Sequence, residues 1–201
     1  MNVIRPFGPI IGKDELPTDI HQKLIDLTDN ILEDPNREDM GNQLAGHIKD
    51  QYRIPIKQLD EEIYYYFLDC VHNYTELCVP PDISYPVQFG FTDFWVNNMV
   101  KHEWNPPHIH NEDLSAIVVL KLPADLDEDK YEGMLSFINN SSRTLHEFES
   151  GNLSLSPKEK DFYLFPARLN HAVTPFTCEG IRRTISFNVK TKIGKSLHED
   201  D

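Results

Sequence analysis

The chain has 201 residues, 39% hydrophobic and 26% charged, enough to bury a core without disulfides or a structural metal. Its 19 Lys and Arg face 33 Asp and Glu, a formal charge of −14, which repels phosphate backbones and anionic membranes and argues against a nucleic-acid partner. Cys70, Cys78 and Cys178 form neither a disulfide framework nor a CxxC pair, a usage that fits a reducing compartment.

The amino-terminal stretch MNVIRPFGPIIGKDELP carries Pro and Gly where a signal peptide needs an unbroken apolar core. No run approaches the ~18 apolar residues of a membrane span. The chain therefore reads as cytoplasmic. Thr18 or Asp19 is placed to cap a helix from Ile20 to Leu32, with Leu24, Ile25, Leu27 and Ile31 at helical spacing. DPNRED, residues 34–39, reads as a turn. Asp60 is the expected cap of a second helix from Glu61 to about Leu77, with Ile63, Phe67, Cys70, Val71 and Tyr74 on one stripe. The run Tyr64, Tyr65, Tyr66 falls within it and reads as packing. VPPDIS, residues 79–84, ends the helix.

Beyond about Tyr85 the pattern changes to short strands between turns. FGFTDFWVNNMV (89–100), SAIVVLKL (115–122), GMLSFIN (133–139), DFYLFP (161–166) and RRTISFNV (182–189) are the strand candidates. The acidic connection LPADLDEDKYEG, residues 122–133, reads as a solvated face and not a cation site, and the last residues as a polar tail. The expected fold is mainly β, a double-stranded β-helix (jelly roll) supported by amino-terminal α-helices. Residues 1–84 would form the helical extension, 85–190 the double-stranded β-helix domain, and 191–201 the tail.

Of nine histidines, His108 and His110 stand out because i and i+2 on an extended chain point to the same side. His171 follows a later strand and a Pro-containing loop. H-x-H at one strand's end with a His about sixty residues on is the ligand order of jelly-roll metal sites. Three side-chain ligands with open positions suit a redox metal, whereas a structural zinc site would be closed by a fourth. In RRTISFNV, Arg182, Thr184, Ser186 and Asn188 share one face, and Arg183, Ile185, Phe187 and Val189 the other. The polar face either lines a cavity or meets water. A guanidinium inside a barrel requires an anion, and a carboxylate gripped bidentately is the natural one. A metal and an inward arginine together imply a small carboxylate bound between them, as a 2-oxoglutarate-dependent oxygenase requires.

The stretches Trp95–Asn97, NPPHIHNEDLSA (105–116), LFPARLNHAVTP (164–175) and RRTISFN (182–188) resemble the 2-oxoglutarate/Fe(II)-dependent oxygenase superfamily, most of all its bacterial and phage branch with an H-x-H motif. The resemblance covers roughly residues 85–190. It implies His108, His110 and His171 as iron ligands and catalytic centre, with Arg182 gripping the distal carboxylate of 2-oxoglutarate. Thr184 and Ser186 would add hydrogen bonds, and Trp95 and Asn97 would line the pocket. Fe(II), 2-oxoglutarate, O2 and an unknown substrate are the implied cofactors and partners.

Two features depart from the superfamily pattern. His110 stands where most members have Asp or Glu, leaving a site with three neutral ligands. Glu112 or Asp113 are the alternative carboxylates, although Asp113 would point the other way on a strand. In addition, SAIVVLKL offers no Tyr to touch the keto acid, leaving Tyr163 as a candidate donor. Two rivals stand beside this reading. One is a cupin-like metalloprotein that does not use 2-oxoglutarate: PARLNH (166–171) has the spacing of a second cupin motif, but Arg168 replaces its Gly, and Leu114 and Ser115 stand where the first motif wants Glu. The other is a catalytically degenerate barrel serving as a binding module.

Overall fold

The computed structural model describes residues 8–78, 87–139 and 151–193. The VPPDIS break, His146, His198 and most of the polar tail lie outside the described residues. Among the described residues ten strands form two antiparallel sheets: β1 (Gly12–Glu15), β2 (Gln51–Arg53), β3 (Val87–Met99), β4 (Asn105–His108), β5 (Leu114–Lys121), β6 (Leu135–Ile138), β7 (Asn152–Leu155), β8 (Asp161–Pro166), β9 (Asn170–Val173) and β10 (Arg182–Ile193). The six-stranded sheet runs β1-β8-β5-β10-β3-β2 and the four-stranded sheet β4-β9-β6-β7. Eight strands, β3 to β10, thus divide four and four, with the chain crossing repeatedly between the sheets, and the result is a jelly roll. The sheets face each other without closing into a barrel. The two outermost strands of the larger sheet, β1 and β2, come from the first third of the chain, where only helices are expected from the sequence.

Two helices, α1 (Thr18–Glu33) and α2 (Glu61–Cys78), cover the outer face of the larger sheet. Pro17 and not Thr18 or Asp19 occupies the N-cap of α1, with no side-chain cap; Thr18 instead accepts a hydrogen bond from Lys160 Nζ. Asp60 does cap α2, its carboxylate accepting from Glu62 N at 2.8 Å. Ile63, Phe67, Val71 and Tyr74 are buried on one stripe of α2, while Cys70 is only half-buried. Of the tyrosine run, Tyr66 packs against the core and Tyr64 meets Phe91 edge to face, but Tyr65 is exposed. All three cysteines are free.

The larger sheet is buried on both sides, which explains the nearly continuous apolar run in β5. Ala116, Val118 and Leu120 face the helices with Phe94, Val96, Phe162, Leu164, Ile185 and Phe187. Ile117 and Val119, with Tyr163 and Phe165, face the second sheet and pack against its Leu135 and Phe137. On the helix side Phe67 lies 4.8 Å from Phe187 and 5.7 Å from Phe162 between ring centroids, and Phe94 stacks on Phe187 at 4.7 Å. Such aromatic pairs add to area burial and lock the helices to the sheet.

The acidic connection departs from the solvated face expected of it at one residue. Glu132 is 7% exposed and ties the loop down, its carboxylate accepting from Thr177 Oγ1 at 2.5 Å and from Asp127 N at 3.3 Å. Gly133 follows with φ +63°, a conformation that favours glycine. That turn brings its carbonyl to the side chain of Arg182.

Candidate active site

Antiparallel pairing of β4 with β9 sets His108 directly across from His171. β4 ends at His108, so extended geometry alone does not place His110; its backbone N–H donates to Ala167 O at 2.9 Å, which fixes the loop. The imidazole centroids of His108 and His171 are 4.2 Å apart, those of His108 and His110 5.0 Å, and those of His110 and His171 5.2 Å. One ring nitrogen from each lies within 4.8 Å of the other two, and this is the one such group of His, Cys, Asp or Glu among the described residues. Asp113 is engaged elsewhere, accepting from Thr191 N at 2.7 Å and pairing with Lys190. Glu112 is not part of the cluster.

The rings are prepared as neutral ligands. His108 Nδ1 lies 2.7 Å from Pro106 O and His171 Nδ1 2.9 Å from Leu169 O. A carbonyl only accepts, so both Nδ1 atoms carry the proton and both Nε2 lone pairs are free for a cation. Burial lowers the pKa of all three; His171 falls to about 3 and His110 to about 4, with neighbouring imidazoles adding to the effect.

A pH dependence follows for the metal-free chain. Unfolded imidazoles take protons near pH 6.5, whereas folded His110 and His171 do so far lower. Between these values the unfolded state binds more protons. The stability contributed by the neutral rings is complete above pH 6.5 and is lost as the pH falls towards 4 and 3, by up to ~1.4 kcal/mol per pH unit for each ring. Thermal melts between pH 7.5 and 5 should show this, before carboxylates such as Asp29, whose pKa is lowered by Arg183, begin to titrate. His171→Gln should flatten the slope; an unchanged slope would assign the pH dependence to other groups.

The second wall comes from β3 and β10. Thr184 pairs with Asn97 and Ser186 with Trp95 in register, so all four side chains project to the inner face of the larger sheet. A cavity partly open to solvent is lined by the three histidines, Trp95, Asn97, Arg182, Thr184 and Ser186. The three candidate ligands and the five candidate pocket residues Trp95, Asn97, Arg182, Thr184 and Ser186 therefore border one space. Arg182 is fully enclosed, 1% exposed. Its Nε donates to Gly133 O at 3.1 Å and one amino group lies 3.9 Å from Met99 Sδ, while Nη2 has no partner. Burial pulls its pKa down to about 10, which leaves it cationic at neutral pH. Arg182, Thr184 and Ser186 of the polar face of β10 line this cavity, while Asn188 accepts from Ser115 Oγ at 2.7 Å. Arg183, on the opposite face, donates to Asn98 Oδ1 at 2.9 Å and pairs with Asp29 of α1.

Tyr163 does not border the cavity; its hydroxyl donates to Asp161 Oδ2 at 2.8 Å. Sequence reasoning passed over Gln51 and Asn105, which do border it. Asn105 opens the NPPHIH motif and could have been noticed there, but Gln51 sits in a stretch with no local signal and reaches the site only because β2 pairs with β3, Gln51 opposite Asn97.

The donor set fits an iron(II) centre with a keto acid. Three neutral nitrogens converge and leave coordination positions open, and the nearby buried guanidinium has an unpartnered N–H that a carboxylate would satisfy.

Comparison with known proteins agrees with this geometry. Residues 93–188 match the sequence model of the family described as "Putative 2OG-Fe(II) oxygenase". No curated protein matches the chain. Among solved structures, a Trichoplax adhaerens prolyl hydroxylase in complex with a hypoxia-inducible-factor peptide superposes with TM-score 0.62 at 16% identity, over 91% of this chain and 83% of that one. A Pseudomonas putida prolyl-4-hydroxylase gives 0.63 at 12% identity, over 90% and 92% of the two chains. HygX of Streptomyces hygroscopicus, bound to nickel, 2-oxoglutarate and hygromycin B, gives 0.58 at 11% identity, over 91% and 82%. The family match, over just under half of the chain, and the shared jelly-roll fold both point to the 2-oxoglutarate/Fe(II)-dependent oxygenases.

Proposed function

We propose that His108, His110 and His171 hold the iron(II) and that Arg182 grips the distal carboxylate of 2-oxoglutarate, for the hydroxylation of a substrate C–H bond. The observation that carries this reading is the enclosed guanidinium of Arg182 with its unpartnered Nη2, bordering the same cavity as three converging imidazoles. Bound iron(II) and 2-oxoglutarate supply the oxidative chemistry, in which O2 is consumed, the keto acid is decarboxylated to succinate and a C–H bond is oxidised. The chain's own residues supply position and shelter. The Nδ1–H bonds of His108 and His171 to backbone carbonyls hold those rings in the ligating tautomer. The Arg182 guanidinium, steadied by Gly133 O, aims the keto acid through its far carboxylate, with the Thr184 and Ser186 hydroxyls beside it as further donors. Trp95 closes the side near His110, the two rings 5.6 Å apart, and limits water there.

In this reading residues 1–84 act as a buttress of the larger sheet, 85–190 form the metal and cosubstrate domain, and 191–201 a tail. The charge of −14 argues against a nucleic-acid substrate. No described helix is long and apolar enough to cross a membrane, and three free cysteines favour the cytoplasm.

The test is a thermal-shift panel under anaerobic conditions with Fe(II) or Mn(II), with and without 2-oxoglutarate. A ligand at a hundred times its Kd stabilises by about 2.7 kcal/mol. Stabilisation by metal and a further rise with 2-oxoglutarate is the expected outcome. Metal stabilisation without any response to 2-oxoglutarate would favour a cupin-like metalloprotein, and no response to either a binding module.

A further inference from the structure

We infer that the cavity takes, beside the keto acid, a neutral substrate group that carries two donor hydrogens, as a primary carboxamide does, and that Gln51 Oε1 and Asn105 Oδ1 receive it. This rests on the function proposed above and names the substrate chemistry of that same site. Among the described residues four buried side-chain polar atoms have no hydrogen-bond partner, and three of them belong to residues bordering this cavity: Arg182 Nη2, Gln51 Oε1 and Asn105 Oδ1. A buried acceptor left unpaired costs about 1–3 kcal/mol. Two of them in one wall of a binding cavity mark a place where a ligand completes the bonding.

2-Oxoglutarate cannot fill that role. At neutral pH it carries only acceptor oxygens, so it matches Arg182 and the hydroxyls but not a pair of amide carbonyls. The hydrogen-bond chain across the wall has the corresponding direction. Gln51 Nε2 donates to Asn97 Oδ1 at 2.8 Å, and Asn97 Nδ2 faces Ser186 Oγ at 3.3 Å and Thr184 Oγ1 at 3.4 Å. The hydroxyls accept from Asn97, so their own protons are free to point towards the keto acid. At the other end of the chain the Gln51 carbonyl is left as an open acceptor.

Both amides lie against Gly46. A Cβ on Gly46 would lie 3.0 Å from Gln51 Nε2 and 3.2 Å from Asn105 Oδ1, so the segment carrying Leu44, Ala45 and Ile48 approaches both amides only because residue 46 lacks a side chain. Among the described residues no Asp or Glu borders the cavity, which leaves no counter-charge for an ammonium and selects a neutral donor. A hydroxyl carries one donor hydrogen, a primary carboxamide two.

The experiment uses the full chain loaded with Mn(II) and 2-oxoglutarate and follows the proton relaxation of small probes, which the paramagnetic ion accelerates when they bind beside it. Propionamide should show several-fold enhanced methyl relaxation, whereas N,N-dimethylpropionamide and 1-propanol should not. In Asn105→Leu the propionamide effect should disappear while the 2-oxoglutarate-dependent thermal shift persists; Gln51→Met serves if the first variant does not fold. Equal relaxation of the two amides, 1-propanol matching propionamide, or a propionamide effect that survives the substitution would overturn the inference. Loss of the 2-oxoglutarate shift already in the unmodified chain would instead overturn the proposed function, and this inference with it.

Discussion

His171→Ala is expected to strip the protein of bound iron. His171 is 3% exposed and contributes one of three nitrogens within 4.8 Å of each other, with its proton held at Nδ1 by Leu169 O. Altering the outer partner of a metal ligand already costs 10–100-fold in affinity, so removing the ligand itself should cost more than about a hundredfold. The ring also packs against Phe165 at 4.9 Å between centroids, and alanine leaves a hole there. Some loss of metal-free stability will therefore accompany the loss of metal, and the two are separated by measuring metal content on the folded fraction. His171→Gln keeps most of the volume and should still lose the metal. An unaltered iron content in both variants would remove His171 from the site.

Arg182→Ala is expected to spare the metal and to weaken 2-oxoglutarate. Truncating one partner of a buried, hydrogen-bonded charge pair costs 2–5 kcal/mol; a loss of about 3 kcal/mol is more than a hundredfold in Kd. Calorimetric titration of 2-oxoglutarate into Mn(II)-loaded protein reads this directly, and unchanged affinity would refute the assignment. Without ligand the effect should have a different sign from that of most core truncations. The free chain keeps a fully buried cation with an unpartnered Nη2, so Arg182→Met, which fills the space without the charge, should leave the unliganded melting temperature equal or higher. Arg183→Ala is the matched control. Its guanidinium pairs with Asp29 on the helix side of the sheet, and its removal should lower stability while leaving the affinity for 2-oxoglutarate intact.

The two arginines also show how far local pattern reaches. They are adjacent and chemically identical, and only alternation along a strand assigns one to the cavity and the other to α1. That alternation was legible in RRTISFNV because a strand's side-chain period of two is a local property. For the same reason α2 could be read closely, from its stripe of Ile63, Phe67, Val71 and Tyr74, and so could the strong strands β3, β5, β8 and β10. The short strands β1, β2, β4, β7 and β9 were not legible. Each has three or four residues, and such segments become strands only through partners far along the chain. Thr18 illustrates the same limit at a helix end. Its hydroxyl was available as a cap, but the chain entering from Pro17 and the nearby Lys160 used it otherwise.

By itself the sequence determined the two-faced strands, the covering helices, the candidate ligands His108, His110 and His171, and the choice of Arg182 over Arg183, because each of these is written in spacing and residue type over a few positions. Only the tertiary structure decided that the rings converge, through the β4–β9 register that sets His108 opposite His171 and the backbone bond that holds His110. It also decided that no carboxylate of the described residues joins them and that Gln51 and Asn105 border the same cavity. Those facts depend on pairings between segments tens of residues apart, and the free energy of such pairings comes from burying both partners together, a quantity that no local stretch of sequence contains.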